Sequence, residues 1–299
     1  MSHSSDSPSV PTPYFEISHT DRYTRQNLIR KIEEQTKRRL LVYFANVGAT
    51  DVDSGIDSSD IVLFQDLLYD FKKDDDVDLL LQTTGGDIDS AEKMVAMLRE
   101  RAAGFRLIVT ERAKSAGTLM AMAADEIVMS SVSELGPIDP QIMVETSDGR
   151  LVQRPAQSYL DGWEQIKKQS NEEGVLSPAY YPLLTQFDPA LLDMCNKELR
   201  HSREFAEKWL RQYMLKDDPN KAQTIAQALS DVKTYSSHGI VIDRQEAEKL
   251  GLKVDYYDSD DPLWRLFWRL HLFYDQRCQN FGAIKFFESR RVSLELNKK

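Results

Sequence analysis

Apolar and polar positions along this chain fall into blocks that read as alternating helices and strands. Residues 21–39 place Leu28, Ile29 and Ile32 on one helical face, with Asp21 as a plausible cap. Residues 40–45 form an unbroken apolar run, the pattern of a buried strand. A polar loop over 47–57 follows. Ser58 or Ser59 then caps a helix reaching Phe71, with Ile61, Leu63, Phe64, Leu67 and Leu68 at helical spacing. A charged turn leads into the strand at Leu79, Leu80 and Leu81. Next come a helix over 90–100 (Ala91, Met94, Val95, Leu98), a strand ending at Val109, a smooth apolar helix over 119–124 and a strand over 126–129. This alternation predicts the α/β class.

Further along, residues 142–152 read as a hairpin turning at Ser147-Asp148-Gly149. A helix begins at Pro155, where proline suits the first turn because its missing N–H is not needed there. Residues 171–178 make a break. Long helices over 189–215 and 221–229 precede a loop carrying His238, then a helix around 244–250. From 261 onward, Leu263, Trp264, Phe267, Trp268, Leu270, His271, Phe273 and Tyr274 form an aromatic-rich helix, with Ile284, Phe286 and Phe287 after Gly282. Its apolar side is expected to pack on the chain's own core or on a neighbouring subunit.

Two Gly-bearing turns end apolar runs and open helices. The first is Thr83-Thr84-Gly85-Gly86-Asp87 and the second is Lys114-Ser115-Ala116-Gly117-Thr118. A Ser among small residues at a helix start can present its hydroxyl at a sharp turn, where the helix N-terminus favours negative charge. Gly85 and Gly86 lack a Cβ, so their backbone can approach a substrate and take up positive φ. Acyl transfer needs backbone donors aimed where an oxyanion develops. The spacing from Gly86 to Ser115 leaves room for one helix and one strand, as in a βαβ unit that brings both turns to one sheet edge. The competing reading is structural: a Gly-Gly pair as a plain turn and Ser115 as an N-cap.

The formal net charge of −10 argues against a nucleic-acid surface as the main function. Cys195 and Cys278 match no metal or CxxC spacing and suit a reducing interior. Residues 1–13 are Ser/Pro-rich without an apolar core segment, which reads as a disordered tail. No window approaches the ~18 apolar residues of a membrane span, so the expected location is the cytoplasm. The basic side of the first helix, with Arg22, Arg25, Arg30, Lys31, Lys37, Arg38 and Arg39, is expected to face water or to dock a partner or neighbouring subunit.

The motifs, taken together, resemble the serine dehydrogenase proteinase family of the ClpP/crotonase superfamily, related to signal peptide peptidase A. The matching stretches are Thr84-Gly85-Gly86, Lys114-Ser115-Ala116-Gly117-Thr118-Leu119, Ala123-Ala124-Asp125-Glu126-Ile127-Val128-Met129 and Leu135-Gly136-Pro137-Ile138-Asp139-Pro140-Gln141. They continue through Arg154-Pro155-Ala156-Gln157-Ser158, Ser237-His238-Gly239-Ile240-Val241-Ile242 and Leu250-Gly251-Leu252-Lys253-Val254. The resemblance implies repeated ββα units with additional C-terminal helices, self-assembly into a homo-oligomer, and no cofactor. It implies Ser115 as nucleophile, oxyanion amides from Gly86 and Ala116, Gly85 shaping the turn, and Gly117 beside them. ClpP-type peptidases use a His soon after the nucleophile. This chain has none between Ser115 and His201, and the corresponding turn carries Asp139. The signal peptide peptidase A group instead uses a Lys on a following helix, which points to Lys167, with Lys168 as the alternative. A Lys serves as base only where burial or a cationic neighbour lowers its pKa. His238 competes for the role, since the family places a His here too.

The expected organisation is a tail over 1–20, a peptidase domain over 21–258 and an aromatic-rich helical extension over 259–299. The expected activity is cleavage of peptides or unfolded protein, with a regulatory partner protein as a further expectation. Two other readings stand beside it: an inactive or partner-dependent oligomeric scaffold, and a crotonase-like acyl-CoA enzyme, against which Ser115 in its Lys-Ser-Ala-Gly-Thr setting argues.

Overall fold

The computed structural model describes residues 19–48, 54–69, 71–73, 75–146, 148–174, 177–184, 187–231 and 237–297. The N-terminal tail, Ser147 of the hairpin turn, and Tyr235 and Ser236 ahead of His238 lie outside the described residues.

Strand β1 (Arg39–Ala45) shows why its sequence is apolar throughout. Leu41, Tyr43 and Ala45 face one core, and Leu40, Val42 and Phe44 face another, so both sides of the strand are buried. β1 is parallel to β2 (Asp75–Gln82), β2 to β3 (Ala102–Ile108), β3 to β5 (Glu126–Met129), and β5 to β9 (Val254–Tyr256). On the far side of β1, β10 (Ala283–Glu288) and β11 (Ser293–Asn297) add an antiparallel hairpin, giving the order β11-β10-β1-β2-β3-β5-β9. The segment expected as a helical extension therefore holds one helix and two strands of the central sheet.

Helices cover both faces. α1 (Thr20–Thr36) and α10 (Pro262–Phe281) enclose one core, where Ile29, Ile32, Trp264, Phe267 and Tyr274 are buried. On the other face lie α2 (Asp60–Leu67), α3 (Ile88–Arg101), α4 (Ala116–Met122), α7 (Pro189–Gln212) and α8 (Pro219–Ser230). The hairpin β7 (Gln141–Glu145) and β8 (Leu151–Pro155) leads into α5 (Ala156–Glu173), which packs with α7 around Cys195 and Leu199. Both cysteines are buried free thiols, and burial pushes the Cys278 thiol up to about 12.

The basic side of α1 corrects a sequence expectation. Arg25 is buried against Glu288, with its Nε 2.7 Å from the carboxylate, rather than facing water. Arg38 reaches Asp78 at 2.6 Å and Arg39 reaches Glu33 at 3.3 Å. The cations pin the helix and its exit to the sheet, which removes most of a docking face.

A second, shorter ladder crosses the carboxyl ends of the parallel strands. Ile56 bridges Gly86, Thr83 bridges Ala113, β4 (Arg112–Ala113) pairs with β6 (Glu134–Leu135), and Leu135 bridges Ile242. Long strand, short strand and helix thus repeat as ββα units: β3, β4 and α4 form one, and β2, the Thr83–Gly86 turn and α3 form another. In open α/β sheets ligands bind in the crevice at this end, beyond the carboxyl ends of the strands.

Candidate active site

Each site residue expected from the sequence, Lys167 aside, sits on or beside this short ladder. Ser115 lies at the junction of β4 and α4 with φ 52 and ψ −117, a conformation rare for any residue with a Cβ. The Gly117 N–H donates to the Lys114 carbonyl at 2.8 Å, closing a tight turn with Ser115 at its first central position. Such backbone strain costs about 1–3 kcal/mol and persists where surrounding structure over-determines it, as at nucleophile turns. Ser115 occupies the position before the helix, yet its side chain makes no capping bond. By contrast, Asp87, Asp188, Asp218, Asp243 and Asp261 all cap their helices through the side chain. The N-cap reading of Ser115 therefore fails, and its hydroxyl lines the cleft instead.

The Gly-Gly turn is fixed from two sides. Ile56 N–H donates to Gly85 O at 2.8 Å and Asp87 N–H donates to Ile56 O at 2.8 Å. On the other flank, Thr83 N–H donates to Arg112 O, and Lys114 N–H donates to Thr83 O. Strand alternation then turns the Gly86 N–H away from Ile56, toward the nucleophile's side. Among the described residues, the Gly86 and Ala116 amides make no backbone hydrogen bond, whereas the Gly117 amide is consumed by its own turn. This removes Gly117 from the oxyanion group.

Gly85 and Gly86 have φ of 113° and 143°. A Cβ on Gly85 would stand 2.6 Å from Ser115 Cβ, and one on Gly86 would stand 2.3 Å from the Ile56 carbonyl oxygen. Gly86→Ala must displace backbone rather than a flexible side chain, and is expected to cost roughly 1–3 kcal/mol in urea unfolding. Gly85→Ala, strained at φ 113° and pressed against Ser115 Cβ and the Lys114 carbonyl, is likewise expected to lose stability and also to slow any reaction of Ser115, checked by urea unfolding and covalent labelling.

His238 approaches from the loop before Ile242. Its Nδ1 lies 2.7 Å from Asp139 Oδ1, across 99 residues of sequence. Asp139 is 3% exposed, and its other oxygen accepts from Gln141 Nε2 at 2.6 Å. The turn holding Asp139 is itself anchored: Ile138 N–H donates to Leu229 O, and Ser202 Oγ donates to Ile138 O at 2.6 Å. A buried carboxylate on Nδ1 leaves Nε2 as the nitrogen available for proton transfer.

Ser115, Gly85, Gly86 and His238 line one cleft of about 700 Å³, together with Ser54, Gln141, Gln153, Glu198 and His201. His201 Nε2 stands 3.6 Å from both Asp89 and Glu92. Burial works to raise the Glu92 carboxyl, but the hydrogen bond and charge of Lys208 at 2.7 Å, with His201 and Trp209 alongside, together outweigh it and hold Glu92 below the ordinary range.

Lys167 is not in this cleft. It lies on α5, pairs with Glu164 at 2.5 Å with 45% of its side chain exposed, and lines a separate groove with Trp163, Leu192 and Arg203. Lys168 is 76% exposed beside Glu172. Both side chains are largely open to solvent and paired with carboxylates of their own helix. The structure does not bring Lys167, expected as base, together with Ser115: the two line different cavities.

A family model of ClpP-like SDH-type serine proteinases matches residues 15–294. The chain belongs to that family. Its curated relatives include the uncharacterized protein MJ0137 of Methanocaldococcus jannaschii, 28% identical over 72% of this chain and 64% of the relative. The uncharacterized protein MJ1495 of the same organism is 27% identical over 60% of this chain and 52% of its own length. The chain thus spans between half and two-thirds of the relatives it matches. Two solved structures of the 1510-N membrane-bound stomatin-specific protease, both point mutants and one with a substrate peptide, are each 14% identical. They cover 82% and 92% of this chain and 77% and 81% of their own, with TM-scores of 0.38 and 0.36, so the assignment rests on the family match. Among the described residues, no helix is long and apolar enough to cross a membrane.

Two functional features lay outside the sequence expectations. Ile56, an apolar residue closing a polar loop, clamps the Gly-Gly turn. Gln141, quoted only as part of a motif, fixes Asp139.

Proposed function

We propose that the chain is a serine peptidase acting on peptides or unfolded protein, with Ser115 as nucleophile and His238, oriented by Asp139, as its base. The observation that carries this reading is the strained, uncapped Ser115 in a cleft shared with a His whose Nδ1 is held by a buried carboxylate. Ser115 Oγ attacks the substrate carbonyl carbon as His238 Nε2 takes its proton. The Gly86 and Ala116 amides hold the oxyanion. Collapse of the tetrahedral intermediate breaks the C–N bond, and the imidazolium gives its proton to the leaving amine. Water, deprotonated by His238, then releases the acyl group from Ser115. Family membership supports the hydrolase class, and the polar cleft supports a substrate bound through its backbone.

Labelling with a fluorophosphonate probe, read by intact mass and peptide mapping, tests the assignment. The folded wild type is expected to gain one adduct on Ser115, Ser115→Ala none, and Lys167→Ala the wild-type amount. Labelling elsewhere, or loss in Lys167→Ala, contradicts it.

A further inference from the structure

Lys114 immediately precedes the nucleophile, and its backbone is fully engaged. Its N–H donates to Thr83 O, and its carbonyl accepts from Gly117. The side chain has a different task. Its stem runs over Gly136, where even a single added Cβ would stand 3.2 Å from Lys114 Cγ. Its Nζ then donates to the Gly239 carbonyl at 2.9 Å and meets Glu134 Oε1 at 3.2 Å. Only 14% of the side chain is exposed. One ammonium therefore joins three neighbouring rungs of the short ladder: the Ala113 rung that carries Ser115, the Glu134–Leu135 rung, and the Ile242 rung that carries His238.

We infer that Lys114 is a positioning residue, tying the residue before the nucleophile to the residue after the base so that His238 keeps its place in the cleft that Ser115 lines. This inference rests on His238 being the base. Asp139 fixes the His238 ring at Nδ1, and the Leu135–Ile242 bridge fixes the loop beyond it. Neither contact sets the distance between the His238 backbone and the β4–α4 turn. Lys114 Nζ does, through the Gly239 carbonyl. Glu134 in turn keeps the ammonium aimed, and it is shared with Arg112 Nε at 3.7 Å. The ammonium offers three donors, of which one reaches a backbone carbonyl and one a carboxylate.

The test is the rate of fluorophosphonate bonding as a function of probe concentration, which separates probe binding from the bonding step. Lys114→Met, confirmed folded by thermal unfolding, is expected to slow the bonding step roughly 10- to 100-fold, the scale of a misplaced catalytic group, with probe binding unchanged. Lys114→Arg, which keeps a cationic donor, is expected to recover most of that rate. In a His238→Ala background, Lys114→Met is expected to cause no further loss, because the two act as one unit. If Lys114→Met does not fold, Glu134→Gln carries the same test: a slower bonding step supports the inference and an unchanged one overturns it. Wild-type bonding by folded Lys114→Met, or an undiminished loss in the His238→Ala background, overturns this inference alone. Wild-type bonding by His238→Ala overturns the base assignment and this inference with it.

Discussion

His238→Ala is expected to lower kcat/KM on a labelled unfolded protein by roughly 10²- to 10⁴-fold, the usual contribution of a general base. Folding should be little affected, since the ring is 28% exposed and its one described partner is Asp139. Asp139→Asn is expected to fall in the same range for a different reason. An amide in that position, with Gln141 Nε2 already donating 2.6 Å away, can hold the imidazole in the wrong tautomer. The two losses should not add, because the carboxylate acts only through the ring. Lys167→Ala, with its side chain in another groove, is the control and should retain wild-type kcat/KM. A His238→Ala enzyme as active as wild type would remove the imidazole from the mechanism and leave Ser115 without an identified base.

The second large effect concerns stability. Lys285, on β10, is 2% exposed, and its Nζ lies 2.9 Å from Asp60 Oδ1 and 2.7 Å from Asp57 Oδ2. Asp60 is fully buried and also accepts from Tyr43 at 2.8 Å. Lys285→Met strands that carboxylate without a cation, which is expected to cost about 3–5 kcal/mol in denaturant unfolding. The double variant Lys285→Met/Asp60→Asn should regain part of the loss, because the uncompensated charge goes with it. Burial pulls the Asp57 carboxyl upward, but hydrogen bonds led by the one from Lys285 outweigh this and hold it below the ordinary value. A carboxyl with a depressed native pKa stabilises the fold above its unfolded pKa. Asp57's contribution is therefore lost as the pH falls below the ordinary carboxylate range. Unfolding midpoints measured across acid pH on wild type and Asp57→Asn check this, and equal acid sensitivity would refute it.

Local structure was legible wherever one stretch of chain decides it. The apolar run at 40–45 and the spacing Ala91, Met94, Val95, Leu98 appear as β1 and α3, because burial on two faces or on one leaves its period in the sequence. Ser115 and the Gly-Gly turn were legible for a similar reason: a missing Cβ and small flanking residues are the local requirements of a strained turn. What could not be read is pairing at long range. β10 lies against β1 from the other end of the chain, and nothing in Ile284, Phe286 and Phe287 names that neighbour. The resemblance pointed to Lys167 ahead of His238, but the choice depends on which cleft each element faces, and that is not written in the sequence. The Asp139 contact that favours His238 spans 99 residues. Lys114 and Lys285 look like ordinary charged residues in sequence, and only tertiary structure shows what each holds.

The Lys285 cluster also sets an order of events during synthesis. Asp57 and Asp60 fix the segment that begins at Ile56, and Ile56 clamps Gly85 and Asp87. Lys285 is translated after every residue of the cleft, so a ribosome-tethered chain already displays Ser115, Asp139 and His238 while the brace behind the Gly-Gly turn is still missing. A product truncated before β10 would lack the cation that pairs Asp57 and Asp60, and with it the brace that holds Ile56 against the Gly-Gly turn.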